Sequence, residues 1–363
     1  MNSSFGELFR ITLFGESHGV CVGVVIDGCP AGLPLTAADI QLEVDKRKPA
    51  EQAGQTDRRE EDRVEILSGV FQDTTTGAPI CLLVKNLDTD SSVYEKTRNI
   101  PRPGHADYTA FVKYGGFNDY RGGGRFSGRV TVGLVMAGAV AKKVLDVKGI
   151  EVLAHTVQIG RVKASDLTFE QIKSGAYQNA LRCADSAAAA AMLAEIRQVQ
   201  SEGDSLGGII EGLAWSLPVG LGEPYFDTLE GQLAKALLAI PAVKGVEFGA
   251  GFRAAEMKGS QNNDPLRISA GRVILETNRA GGILGGISDG MPLVLRVAVK
   301  PTPSIALAQK SVDLQSLQEK EMAVKGRHDV CLAPRVAVIV ESMMAVTLCD
   351  LALRAGLIER VIK

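Results

Sequence analysis

Gly122-Gly123-Gly124-Arg125-Phe126-Ser127-Gly128-Arg129, followed at once by the apolar run 132–147, decides how this chain is built. The run is long enough for about four helical turns. Gly133, Ala137 and Ala141 recur at every fourth residue and so share one face. Such small side chains let another backbone come close, which predicts a buried helix ending at Gly149. The turn before it sets two guanidinium groups and a hydroxyl beside backbone N–H groups at a helix start. That combination is expected to hold phosphate or carboxylate.

Residues 10–14, 22–26, 79–84, 208–215, 272–276 and 293–299 are β-branched or alternating, with glycine or proline between them, which predicts strands. Thr36 is expected to cap a helix over 37–48, with Asp39 three residues on and Pro49 closing it. The alanine-rich 186–200 and the stretch 228–240, capped by Asp227 and ended by Pro241, also read as helices. Segment 333–355 begins strand-like and turns helical near Glu341. Strands come partly in pairs and partly beside helices, without regular alternation, so the α+β class is expected rather than a doubly wound sheet. No linker, low-complexity segment or solenoid period divides the chain, and 1–363 reads as one domain. The most polar stretch, 50–63, carries Arg58, Arg59, Glu60, Glu61, Asp62 and Arg63 in series and reads as a solvated loop.

Glycine supplies 40 of 363 residues, about eleven per cent against a usual ~7%, and there is one tryptophan, Trp215. Many tight turns and no aromatic platform for stacking bases follow from this. A net charge of −2 excludes a general polyanion binder, so anion recognition must be local. Six cysteines without a Cys-x-x-Cys pair argue against a zinc ribbon, a thioredoxin motif and a disulfide scaffold. The start lacks a signal segment, and no apolar run reads as a membrane span, so a reduced cytoplasmic location is expected.

Of four histidines, three lie in polar loops with glycine nearby: His18 in Gly15–Gly19, His105 in Arg102–Asp107, and His328 between Arg327 and Asp329. Each has an ionisable or hydroxyl neighbour, and histidine titrates near physiological pH, which suits it to moving protons. His155 lies in the strand-like 151–159 run and reads as structural. Arg47, Arg102 and Arg327 repeat in other blocks the arginine theme of the central turn. Gly281–Gly286 lacks Gly-x-Gly-x-x-Gly between strand and helix. No P-loop, Gly-x-Ser-x-Gly elbow or metal-spaced cluster is present. These residues describe a site acting on an anion without saying which one.

Several blocks carry a resemblance. Phe14–Gly19 followed by Val24–Pro30, then Arg102–Tyr108, Arg121–Arg129, Gly259–Asn262, Ala280–Ser288, and Gly326–Cys331 with Glu341 occur in the order of the chorismate synthase family. The chain is similar to that family over its whole length. The resemblance implies a β-α-β sandwich, with helices between antiparallel four-stranded sheets, assembled as a homotetramer. It implies a lyase converting 5-enolpyruvylshikimate 3-phosphate to chorismate by anti-1,4-elimination of phosphate, with reduced FMN required but no net redox change. By similarity His18 protonates the departing phosphate, His105 faces the flavin, and Asp329 takes the proton by way of the flavin. Arg47, Arg102, Arg129 and Arg327 hold substrate anions. Arg125, Phe126, Ser127, Pro241, Ala242, Gly285, Lys300, Pro301, Thr302, Pro303, Ser304 and Arg327 line the FMN.

The sequence leaves the family pattern in three places: Phe126-Ser127-Gly128 in the central turn, Pro303 where serine is usual, and Gln52-Ala53-Gly54 without an expected arginine. Either Arg58 or Arg59 replaces that arginine when the loop closes, with Glu60, Glu61 and Asp62 pairing with Arg63 or water, or Arg47 and Arg129 suffice and the loop is only a lid. The resemblance leaves open whether NADPH or an outside donor reduces the flavin. Two other readings stand against it: a flavin or nicotinamide oxidoreductase, which the missing Rossmann turn disfavours, and an arginine-loop nucleic-acid binder, which the net charge disfavours.

Overall fold

The structure, a computed structural model, describes residues 2–48, 61–87, 90–324 and 329–363. Two antiparallel sheets enclose two helices. In the first sheet the strands lie in the order Ser4–Phe5, Arg10–Gly15, Cys21–Asp27, Ile80–Lys85, Glu65–Ser68. In the second the order is Val243–Phe248, Leu293–Val299, Gly208–Trp215, Glu151–Ile159, Val162–Lys163. Each sheet is thus four longer strands with a two-residue strand at one edge. The architecture is α+β, as expected.

The buried helix is Thr131–Asp146, and thirteen of its sixteen residues are buried. Its glycines set two close approaches. A Cβ at Gly133 would lie 2.7 Å from Leu13 in the first sheet. A Cβ at Gly138 would lie 2.6 Å from the Cα of Ser342 in the other inner helix, Ala333–Arg354. The expected Gly133 face is therefore the sheet-facing one, and Gly138 allows the two helices to cross tightly.

Ala333–Arg354 corrects two expectations. It is helical throughout, not strand-like at its start, because Pro334 suits the first turn and the β-branched run Val336–Val340 is buried on all sides. It is also long and apolar enough to cross a membrane by composition, yet that 18-residue window is wholly buried within the protein. Charge inside the sandwich is paired. Glu341 takes hydrogen bonds from Lys142, from the Ala154 N–H at 2.9 Å and from the Tyr177 hydroxyl at 2.7 Å. Lys142 also reaches Glu43 at 2.6 Å. Burial, then the Glu341 charge, raises the Tyr177 phenol well above its ordinary value.

Smaller differences have local causes. The Thr36–Asp39 capping box is present, but its helix is Ala37–Asp45. Thr228, not Asp227, caps Leu229–Leu238 by accepting the Gly231 N–H, while Asp227 binds Arg354 at 2.9 Å instead. All six cysteines are free thiols.

Candidate active site

The Gly122–Gly124 run is the hinge of the site. All three residues have positive φ (59°, 83° and 52°), which only glycine adopts without strain. The run therefore turns tightly enough to lie flat against two histidines. A Cβ at Gly122 would stand 2.6 Å from His18 Nε2 and 2.7 Å from Ser17 Oγ. A Cβ at Gly123 would stand 3.2 Å from His105 Cε1. The Ser17 N–H donates to the Gly124 carbonyl at 3.2 Å, tying the first histidine loop to the turn. His18 is buried, with Nδ1 2.9 Å from Ser91 Oγ and its ring edge-on to Tyr94.

His105 is held by an aspartate that the sequence reading gave no role. Asp107 accepts Arg102 Nε at 2.8 Å and Nη2 at 2.9 Å, and sits 2.6 Å from His105 Nδ1. Accepting from Nδ1–H fixes which ring nitrogen carries the proton. Arg102 Nη2 lies 3.1 Å and 3.2 Å from the two ring nitrogens. In the ring plane that position would collide with Cε1, so Nη2 lies over the imidazole face. Burial alone would raise the Asp107 carboxyl, but hydrogen bonds from Arg102 and His105 outweigh it and hold the group well below the carboxylate range.

A third wall comes from the second sheet. Lys300 Nζ donates to the Gly104 carbonyl, and Arg102 Nη1 lies 3.5 Å from Ser304 Oγ. The Lys300 N–H donates to the Ala242 carbonyl at 2.9 Å, bringing Pro241 and Ala242 to the same run. Within the run, Thr302 Oγ1 is buried without a hydrogen-bond partner. An orphaned hydroxyl in the run that carries Lys300 and Ser304 suits the phosphate and carbonyl oxygens of a flavin nucleotide, so these residues fit FMN.

The remaining arginines meet on an aspartate. Asp62 is bonded by Arg129 Nη1 and lies 3.5 Å from Arg47 Nη1. Arg129 also reaches Asn86 Oδ1 at 2.9 Å, and Arg47 reaches the Gly128 carbonyl at 2.7 Å. Asp62 thus does not pair with Arg63 or water as expected. It is buried, and its neighbours in the charge run hid it. Burial, then the Arg335 charge, pushes Arg47 down to about 9. A cation so crowded favours the arrival of an anion. Asp329 receives Arg335 Nη1 at 2.6 Å.

Other expected residues make further contacts. Arg125 turns to Ser3 Oγ at 2.8 Å and lines a cavity of about 420 Å³ with Phe14 and Glu16. Phe126 packs on Tyr114, and Ser127 accepts the Arg129 N–H. Gly285 lies in the turn between Ile283–Leu284 and Ile287–Ser288 with its Cα face open. His155 is buried in the second sheet, 3.4 Å from Glu211. Arg327, His328, Ala53, Arg58 and Arg59 lie outside the described residues.

The family model described as chorismate synthase matches residues 9–353. The chain belongs to the chorismate synthase family. A chorismate synthase of Dehalococcoides mccartyi is 58% identical over 363 residues, covering 100% of each chain. One of Korarchaeum cryptofilum is 53% identical over 351 residues, covering 97% of each. A solved crystal structure of a chorismate synthase superposes with a TM-score of 0.76 at 30% identity, covering 96% of this chain and 93% of that one. That solved chorismate synthase therefore shares this sandwich, and the paired histidine loops belong to a chain of the same family.

Proposed function

We propose that this chain converts 5-enolpyruvylshikimate 3-phosphate to chorismate and phosphate by anti-1,4-elimination, working as a one-domain subunit of a cytoplasmic homotetramer. The observation that carries the proposal is the Gly122–Gly124 run, which sets His18 and His105 on two adjacent faces of one turn, with arginines on either side. The substrate has two carboxylates and a phosphate, and taking such groups from water is costly unless each is paired. Arg102, on the His105 side, and Arg47 and Arg129, on the Asp62 side, supply that pairing together with Arg327.

His18, next to the glycine run, donates a proton to the phosphate as its bond to carbon breaks. Asp329 accepts the proton lost from the ring. The chemistry supplied by reduced FMN, when bound, is transient donation of electron density as phosphate leaves, without net redox change. Lys300, Pro301, Thr302, Pro303 and Ser304 would hold it with Pro241 and Ala242, and His105, contacted by Arg102, would face it. Arg125, Phe126, Ser127, Gly285 and Arg327 would complete that set. NADPH or an outside donor would supply the reducing equivalents.

The test is an anaerobic incubation of enzyme, substrate and catalytic reduced FMN, reading chorismate and phosphate separately. Equal amounts of both, with neither formed when flavin is omitted, are expected. Substrate consumed without phosphate release would overturn the proposal.

A further inference from the structure

We infer that Arg335 is a positioning residue for the Asp329 carboxylate, anchoring one of its oxygens so that the group is held in place for proton transfer. The inference rests on reading Asp329 as the proton acceptor. Arg335 stands in the first turn of Ala333–Arg354, a helix start fixed by Pro334 and by the bond from the Arg335 N–H to the Leu332 carbonyl at 3.0 Å. Its Nη1 donates to Asp329 Oδ2 at 2.6 Å, with the two side chains only 18% and 9% exposed. The loop between them is held as well. The Leu206 N–H donates to the Val330 carbonyl at 2.8 Å, and Leu206 bridges Cys331. The carboxylate is therefore suspended between a fixed loop and a fixed helix end, and the guanidinium joins the two.

Neighbouring charge sharpens the point. Asp329 bears on Arg47, which follows Ala37–Asp45 and itself adjoins Asp62 and Arg129. Arg335 bears on both Arg47 and the buried Arg182, which lies just before Ser186–Ser201. On its own loop, Asp329 faces the Cys331 thiol, pushed up to about 12 chiefly by burial. Arg335 thus hydrogen-bonds the carboxylate and acts electrostatically on two other arginines. Replacing Arg335 by a neutral residue should leave the Asp329 carboxylate without that anchor.

The experiment compares holoenzyme carrying Arg335→Gln, Arg335→Lys, Asp329→Asn and the Asp329→Asn/Arg335→Gln pair. It reads kcat and KM for each. Arg335→Gln should lower kcat at least about tenfold with KM within about threefold. Arg335→Lys, which keeps a charged donor at that position, should recover most of the lost kcat, and Arg335→Gln should add less than about twofold on top of Asp329→Asn. A loss in KM instead of kcat, no recovery in Arg335→Lys, or a full further loss on top of Asp329→Asn would overturn the inference. Near-normal turnover in Asp329→Asn would instead overturn the reading of Asp329 itself.

Discussion

Replacing Gly122 by alanine probes the contact on which the site depends. Two effects are expected, and they can be separated. Gly122 has φ +59°, so a side chain there meets the left-handed penalty of about 1–2 kcal/mol. The new Cβ would also stand 2.6 Å from His18 Nε2, well inside ordinary contact, so the ring must retreat by roughly 1 Å, a misplacement able to cost about a hundredfold. Gly149, with φ +67° and nothing within 4 Å of its Cβ position, carries the first effect without the second. Gly149→Ala and Gly122→Ala should therefore lose similar stability in thermal unfolding. In kcat/KM, Gly149→Ala should stay within about twofold of the parent, while Gly122→Ala should fall ~10- to 100-fold, or about 1.4–2.7 kcal/mol. Gly122→Ala behaving like Gly149→Ala in both assays would refute the claim that this turn positions His18.

Other outcomes follow from the same geometry. His18→Ala, His105→Ala and Asp329→Asn should each lower turnover by roughly 10²- to 10⁴-fold, while His155→Ala, on the far sheet beside Glu211, should leave turnover nearly intact. Equal damage from His155→Ala would show the histidines to be wrongly sorted. Asp107, whose pKa is lowered on folding, contributes stability that is present above its unfolded value and lost as pH falls through the folded one. The stability gap between the parent and Asp107→Asn should therefore be full at neutral pH and shrink below about pH 4; a gap that widened on acidification would contradict the pairing. Glu341→Leu leaves the Lys142 charge, the Ala154 N–H and the Tyr177 hydroxyl short of a buried partner and should cost about 3–5 kcal/mol in unfolding. A change under about 1 kcal/mol would mean the network is not needed for stability.

Much of this was legible in the sequence, for identifiable reasons. The small residues of the central helix announced its burial because close approach leaves a mark in side-chain size. The histidine loops stood out because glycine, proline and titratable groups seldom cluster without cause. The start of Ala333–Arg354 was misread because Val336–Val340 has strand-like β-branching, and only tertiary burial on every side decides for a helix. Asp62 was invisible in its charge run, since a buried aspartate and a solvated one are the same letter. Asp107 could have been found, as it lies two residues from His105 and five from Arg102 in one loop. Arg335 carried no such signal, because its partner Asp329 is set against it by a helix start rather than by a motif.

The central claim is an elimination that needs reduced flavin without consuming it. The most direct measurement is the amount of flavin oxidised per chorismate formed, read anaerobically over many turnovers with substrate in large excess over FMN. The account predicts many chorismates per flavin, with the flavin still reduced when substrate is exhausted. One flavin oxidised for each product released would contradict it and identify the protein as an oxidoreductase.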